Sequence, residues 1–164
     1  MKYLVMLILG LVFVFTDLSQ AQSAFDKMTN AKLEKILHRV SEQVDRIPGS
    51  EDVPGKWKMV FMQRELFVIT DEAANRMRVM TPIIEEENLD TEDLKILLEA
   101  NFNRALDAKY SLYQGFLWSS FTHPLQELTV EQFKDALKQV ATLADRYGDS
   151  YSSTDLVFGG GFEN

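Results

Sequence analysis

Apolar side chains recur at steps of three and four near the start of the chain. Phe25, Met28, Leu33, Ile36, Leu37, Val40, Val44 and Ile47 share one side, with Lys32, Glu34, Lys35, Arg39, Glu42, Gln43 and Asp45 on the other. That spacing predicts an amphipathic helix, and Pro48-Gly49 ends it. Pro48 to Gly55 reads as a loop, with a Pro-Gly pair at each end. The period then changes to two. Trp57, Met59 and Phe61 alternate with Lys58, Val60 and Met62, which predicts a strand, and Gln63-Arg64 reads as a tight turn. Leu66 to Thr70 is apolar and β-branched enough for a second strand. Asp71 to Asn75 is a turn in which Asn75 tolerates the left-handed conformation. Arg76 to Ile84 makes a third strand, with Met77 and Val79 opposite Arg76, Arg78 and Met80. Pro82 has no N–H for a ladder, so this strand is expected to end there or to lie at an edge.

Asn88 to Asp107 predicts a second helix, capped by Thr91 or Asp90, with Leu94, Leu97, Leu98 and Phe102 as its buried side. Tyr110 to Tyr113 and Phe116 to Phe121 flank Gln114-Gly115, a connection suited to a hairpin. Thr129 and Gln132 form a capping box that opens a third helix. Phe133, Leu137, Val140, Ala141, Ala144 and Tyr147 line its inner side, and Gly148 stands where a glycine stop belongs. The order α-β-β-β-α-β-β-α is an α+β fold with a five-stranded antiparallel or mixed sheet flanked by helices.

The opening segment stands apart from this pattern. Lys2 precedes an unbroken apolar run from Tyr3 to Phe15, shorter than the roughly 20 residues that span a bilayer. Ser19-Gln20-Ala21 supplies small residues at the exit, so residues 1–21 read as a secretory signal cut after Ala21, with Ser23 or Ala24 as nearby alternatives. The competing reading is an uncleaved anchor. Residues 22–148 then form one domain, and 149–164, rich in Ser and Gly, a mobile tail. The protein is expected to be periplasmic or secreted.

Composition narrows the partners. A net charge of -8, unchanged when Lys2 and Asp17 leave with the signal, excludes a nucleic-acid footprint and disfavours an anionic membrane surface. Without cysteines the fold rests on its core, for which the full chain's 11 Phe, 5 Tyr and 2 Trp, most of them beyond the signal, provide the material.

Three stretches carry a family resemblance: 57–83 (WKMVFMQRELFVITDEAANRMRVMTPI), 98–121 (LEANFNRALDAKYSLYQGFLWSSF) and 123–137 (HPLQELTVEQFKDAL). With the element order they resemble the type III secretion chaperone-like fold, and within it the YbjN-type proteins. The resemblance covers about residues 25–147. It implies a non-enzymatic domain without a cofactor, one that dimerises and holds an extended partner segment against apolar surface. The leader sets this chain apart from those cytosolic chaperones.

Catalytic and metal chemistry finds little support. His123 follows a strand beside Ser119 and Ser120, but alternation puts the two serines on opposite faces, and nothing resembles a nucleophile elbow. His123 and His38 lie too far apart for zinc spacing. Glu85, Glu86, Glu87, Asp90, Glu92 and Asp93 lack the glycine of a calcium loop and read as a solvated turn at a helix start. Gly159-Gly160-Gly161 has neither a following helix nor a nearby lysine for a phosphate loop. Phe158 and Phe162 flank it as a docking motif or a tail that folds back.

The aromatic set Trp57, Phe61, Phe67, Tyr110, Tyr113, Phe116 and Trp118 is mostly core material, yet the strands carry large side chains on both faces. Helices on one side only would leave the other set exposed, as an interface. The expected partner-binding surface is Trp57, Val60, Met62, Met80, Leu117 and Trp118, with Met77 a further flexible side chain. Its ligand is a protein segment or a second copy. The alternative is a carrier of a small apolar ligand or lipid, in a pocket between the opening helix and the sheet. A hydrolase built on His123 is the third reading.

Overall fold

A computed structural model describes residues 27–47 and 55–156. The signal expected over 1–21 lies outside the described residues. Helix α1 runs over Asn30–Val40, followed by strands β1 (Val44–Arg46), β2 (Lys56–Phe61), β3 (Arg64–Asp71) and β4 (Arg76–Glu85). Helix α2 (Thr91–Asn103), strands β5 (Lys109–Tyr113) and β6 (Phe116–His123), and helix α3 (Val130–Asp145) complete the order. The fold is α+β, with one antiparallel sheet of six strands in the order β1-β2-β3-β4-β6-β5.

The sixth strand corrects the expectation of five. The opening helix stops at Val40, where Ser41 turns extended (φ -147, ψ 142), and Val44–Arg46 pairs with β2. Val44 stands four residues after Val40, which fits a helical step. It equally fits the strand in which Val44 faces Met59 and Arg46 faces Trp57. Ser41 decides between them, because its hydroxyl accepts from the Gln43 N–H and holds the chain out of the helix.

Both two-residue hairpin turns place two successive residues at positive φ: Met62 and Gln63 (51° and 62°), then Gln114 and Gly115 (48° and 77°). Two left-handed residues match the twist of the flanking strands. The first turn therefore sits one residue earlier than Gln63-Arg64. Asn75 also adopts positive φ (53°), as expected of it.

Pro82 lies inside a central strand rather than at an end or an edge. Pairing of β4 with β3 stops at Met80, and its register with β6 shifts between Pro82 and Ile84. Both departures fall around the residue with no N–H to offer.

One face of the sheet packs under the helices. Trp57, Met59, Leu66, Val68, Met77, Val79, Leu117 and Phe121 meet Leu33 and Leu37 of α1 and Phe133, Leu137 and Val140 of α3 in one core. Trp57 is tied at three sides. Its indole N–H donates to Glu34 (3.1 Å), the Arg46 guanidinium lies over its ring, and Gly55 lies where any Cβ would run into the ring. Both later helices carry reciprocal caps, Asp90 with Asp93 and Thr129 with Gln132.

Two expectations about burial are corrected. On α2, Leu97 and Ala100 are buried, but Leu98 and Phe102 are 69% and 86% exposed. At 3.6 residues per turn they fall about 100° and about 140° round the helix from Leu97. The segment after Gly148 is not free over its first half. Ser152 and Ser153 are buried, and the Leu106 N–H donates to the Ser153 hydroxyl (2.7 Å). Arg146 donates to the Thr154 carbonyl and the Asp155 carboxylate, and Tyr151 packs edge-on against Tyr110 and Tyr147. Phe158, Phe162 and Gly159 to Gly161 lie outside the described residues.

Candidate functional site: the open face of the sheet

Strand alternation sends every second side chain to the face away from the core. From β2 through β4 to β6 and β5 that face carries no buried residue. Its apolar band begins at Val60, crosses Phe67 and Met80, which are register partners, and continues to Pro82 and its partner Trp118. Phe116 and Tyr113, partners in turn, complete it at the edge. The rings touch edge-to-face: Phe67 to Trp118 with centroids 6.2 Å apart, Phe116 to Trp118 at 6.4 Å. The Trp118 indole N–H donates to the Tyr113 carbonyl (2.9 Å), which fixes the ring across the hairpin. Charge frames the band. Lys58 and Glu65 pair at 2.9 Å, and the Arg78 guanidinium donates to Thr122 (3.0 Å).

Of the six residues expected at a partner surface, Val60, Met80 and Trp118 belong to this face. Met62 stands at its end in the β2–β3 turn, half exposed. Trp57 and Leu117 do not. Each is 1% exposed and faces the helices, because each lies an odd number of residues from Val60 or Trp118 in its own strand. Met77 is buried for the same reason. Phe67, Phe116 and Tyr113 complete the band instead of filling the core. Counting by two from Trp118 and crossing the Gln114-Gly115 turn would have found the last two.

A second exposed apolar group lies at the sheet edge. Asn101 of α2 bonds both main-chain groups of Tyr110, accepting from its N–H (2.8 Å) and donating to its carbonyl (3.0 Å). Leu112 is the next residue whose main chain faces outward, and it has no such partner among the described residues. Leu112 is itself exposed, as are Leu98 and Phe102 on the neighbouring helix.

Ser119 is buried on the covered face, whereas Ser120, on the open one, bonds Ser111. His123 stacks on Phe121 with its Nδ1 2.7 Å from the Pro124 carbonyl, so these three form no catalytic set. Among the described residues no group of three His, Asp or Glu side chains is placed to hold a metal, and no helix is long and apolar enough to cross a membrane. The acidic stretch is a short 3-10 turn followed by the Asp90 cap. Leu33, Ile36 and Leu37 fill the seam between α1 and the sheet, and a hollow lies elsewhere, between α1 and the start of α3.

No family model matches the chain, and no curated protein does. Among solved structures the chain is similar to one described as the HopA1-SchA chaperone-effector complex, at 16% identity and a TM-score of 0.47, over 57% of this chain and 75% of that one. It is also similar to one described as the ExsC-ExsE complex, at 14% identity and a TM-score of 0.48, over 70% of this chain and 91% of that one.

Proposed function

We propose that this chain is an exported, non-enzymatic binding module that holds a segment of another protein against the open face of its sheet. The observation that carries the reading is the continuous apolar band from Val60 through Phe67, Met80 and Pro82 to Trp118 and Phe116, none of it buried. Surface of this kind is unfavourable in water unless something covers it. Met80 adapts to varied contacts, whereas the braced Trp118 offers a fixed anchor.

The same reading includes a homodimer formed at the α2–β5 edge. Leu98, Phe102 and Leu112 are exposed beside main chain left free to pair. A second copy, turned about a two-fold axis, brings the same groups back to face them.

A photocrosslinking side chain at position 80, with one at Lys134 on the outer side of α3 as control, tests the open face in cells. Adducts with polypeptide at position 80 alone are expected. Adducts of lipid, or equal yields at both positions, would overturn the reading. Light scattering of the purified protein tests the dimer, and substitution of both Leu98 and Phe102 by Glu is expected to leave a folded monomer. Mass spectrometry of the protein recovered from outside the inner membrane tests export, with Gln22 expected at its start.

A further inference from the structure

Between α1 and the first turn of α3 runs a groove of about 840 Å³, open along one side. Met28, Ile36 and Leu128 form its floor. The Met28 N–H donates to the Gln126 carbonyl (3.1 Å) and ties the two walls together. Lys32, Lys35 and Arg39 recur along α1 on one wall, and Lys27 stands at its end. Four cations on one hollow run against the character of a chain whose net charge is -8. Two carboxylates share the lining. Glu127 is engaged by the Asn75 amide (2.9 Å), and Glu131 sits in the first turn of α3.

Three of these cations are not spent among the described residues. Elsewhere, Lys58, Arg64, Lys95 and Arg146 pair with carboxylates, and Lys109 with the Asn101 and Ala105 carbonyls. Lys27, Lys35 and Arg39 make no side-chain hydrogen bond or ion pair to any other described residue. The apolar floor together with Lys35 and Arg39 selects a ligand with both characters. The open side decides which kind. A hydrocarbon tail laid there would keep one flank in water, whereas a polypeptide presents a polar flank of its own.

We propose that this groove is a second contact site, distinct from the open sheet face, which takes a polypeptide segment carrying both carboxylates and apolar side chains. The carboxylates meet Lys35 and Arg39, and the apolar side chains lie over Met28, Ile36 and Leu128.

The test is fluorescence anisotropy of the whole protein with a short labelled peptide of alternating Glu and Leu. Binding that weakens as salt is raised is expected, because exposed charges are screened. Substitution of both Lys35→Glu and Arg39→Glu, exposed positions whose change leaves the core intact, is expected to weaken it about tenfold or more. The same variant is expected to gain affinity for a Lys-Leu peptide. Failure of the Glu-Leu peptide to bind, unchanged affinity in the double variant, or equal binding of a Glu-Ser peptide would overturn the proposal. So would full displacement of the peptide by oleate. The crosslinks at position 80 do not involve Lys35 or Arg39, so the two readings stand or fall separately.

Discussion

The side chain of Asn101 stands where a neighbouring strand would stand beside Tyr110. Its amide donates to the Tyr110 carbonyl and accepts from the Tyr110 N–H, the two bonds one extended residue offers another. An edge strand capped in this way is closed to partners at one position and open two residues on, at Leu112.

Asn101→Leu removes both bonds at once and strands two main-chain groups. A loss of about 2 kcal/mol is expected in urea unfolding, together with more self-association on gel filtration. An unchanged unfolding midpoint would mean that the cap contributes nothing.

Leu117 and Trp118 are adjacent in the chain and face opposite ways. Leu117→Ala opens a cavity in the core and is expected to cost about 3 kcal/mol. Trp118→Ala removes a larger side chain yet is expected to cost only about 1 kcal/mol, from its two ring contacts, while abolishing crosslinks at position 80. Equal losses of stability would show that the open face is covered.

Gly55→Ala drives a methyl group into the Trp57 ring, and the Thr70 hydroxyl on the other side leaves little room to yield. Destabilisation of about 2 kcal/mol is expected, with a shift in tryptophan emission as the Glu34 contact is disturbed.

Burial raises the pKa of the Tyr110 hydroxyl, with further upward contributions from Tyr151 and Tyr147, and that hydroxyl donates to the Leu143 carbonyl. The native state therefore keeps its proton at a pH where the unfolded chain gives it up. Stability is full below the ordinary tyrosine pKa of about 10 and falls as pH rises beyond it. Urea midpoints measured across that range are expected to drop, and to drop less in Tyr110→Phe. A flat profile in both proteins would contradict the assignment.

Local chemistry was the most legible part of this chain. Gln114-Gly115, Asn75, the Thr129–Gln132 box and the periodicity of Phe133 to Ala144 all describe what they form, because each depends on neighbours in sequence. Large side chains on both faces of the strands fit helices on one side or on both, and only the packing of α1 and α3 onto one face decides between them. What stayed hidden depends on distant partners. Val44 becomes a strand only because Met59 is there to pair with it, and Leu98 looks like core until the angle of α2 against β5 is known. Strand parity rather than side-chain size separates the two faces, and it turns Trp57 and Leu117 toward the helices.

The segment from Asp149 to Leu156 has a bearing on timing. It holds the end of α3 and the stretch joining α2 to β5 through Arg146, Tyr151 and Ser153, and it follows every other element in the order of synthesis. A growing chain can assemble all six strands and still lack this clasp. The contact of Tyr110 with Tyr151 therefore closes after the sheet that carries Tyr110 is in place.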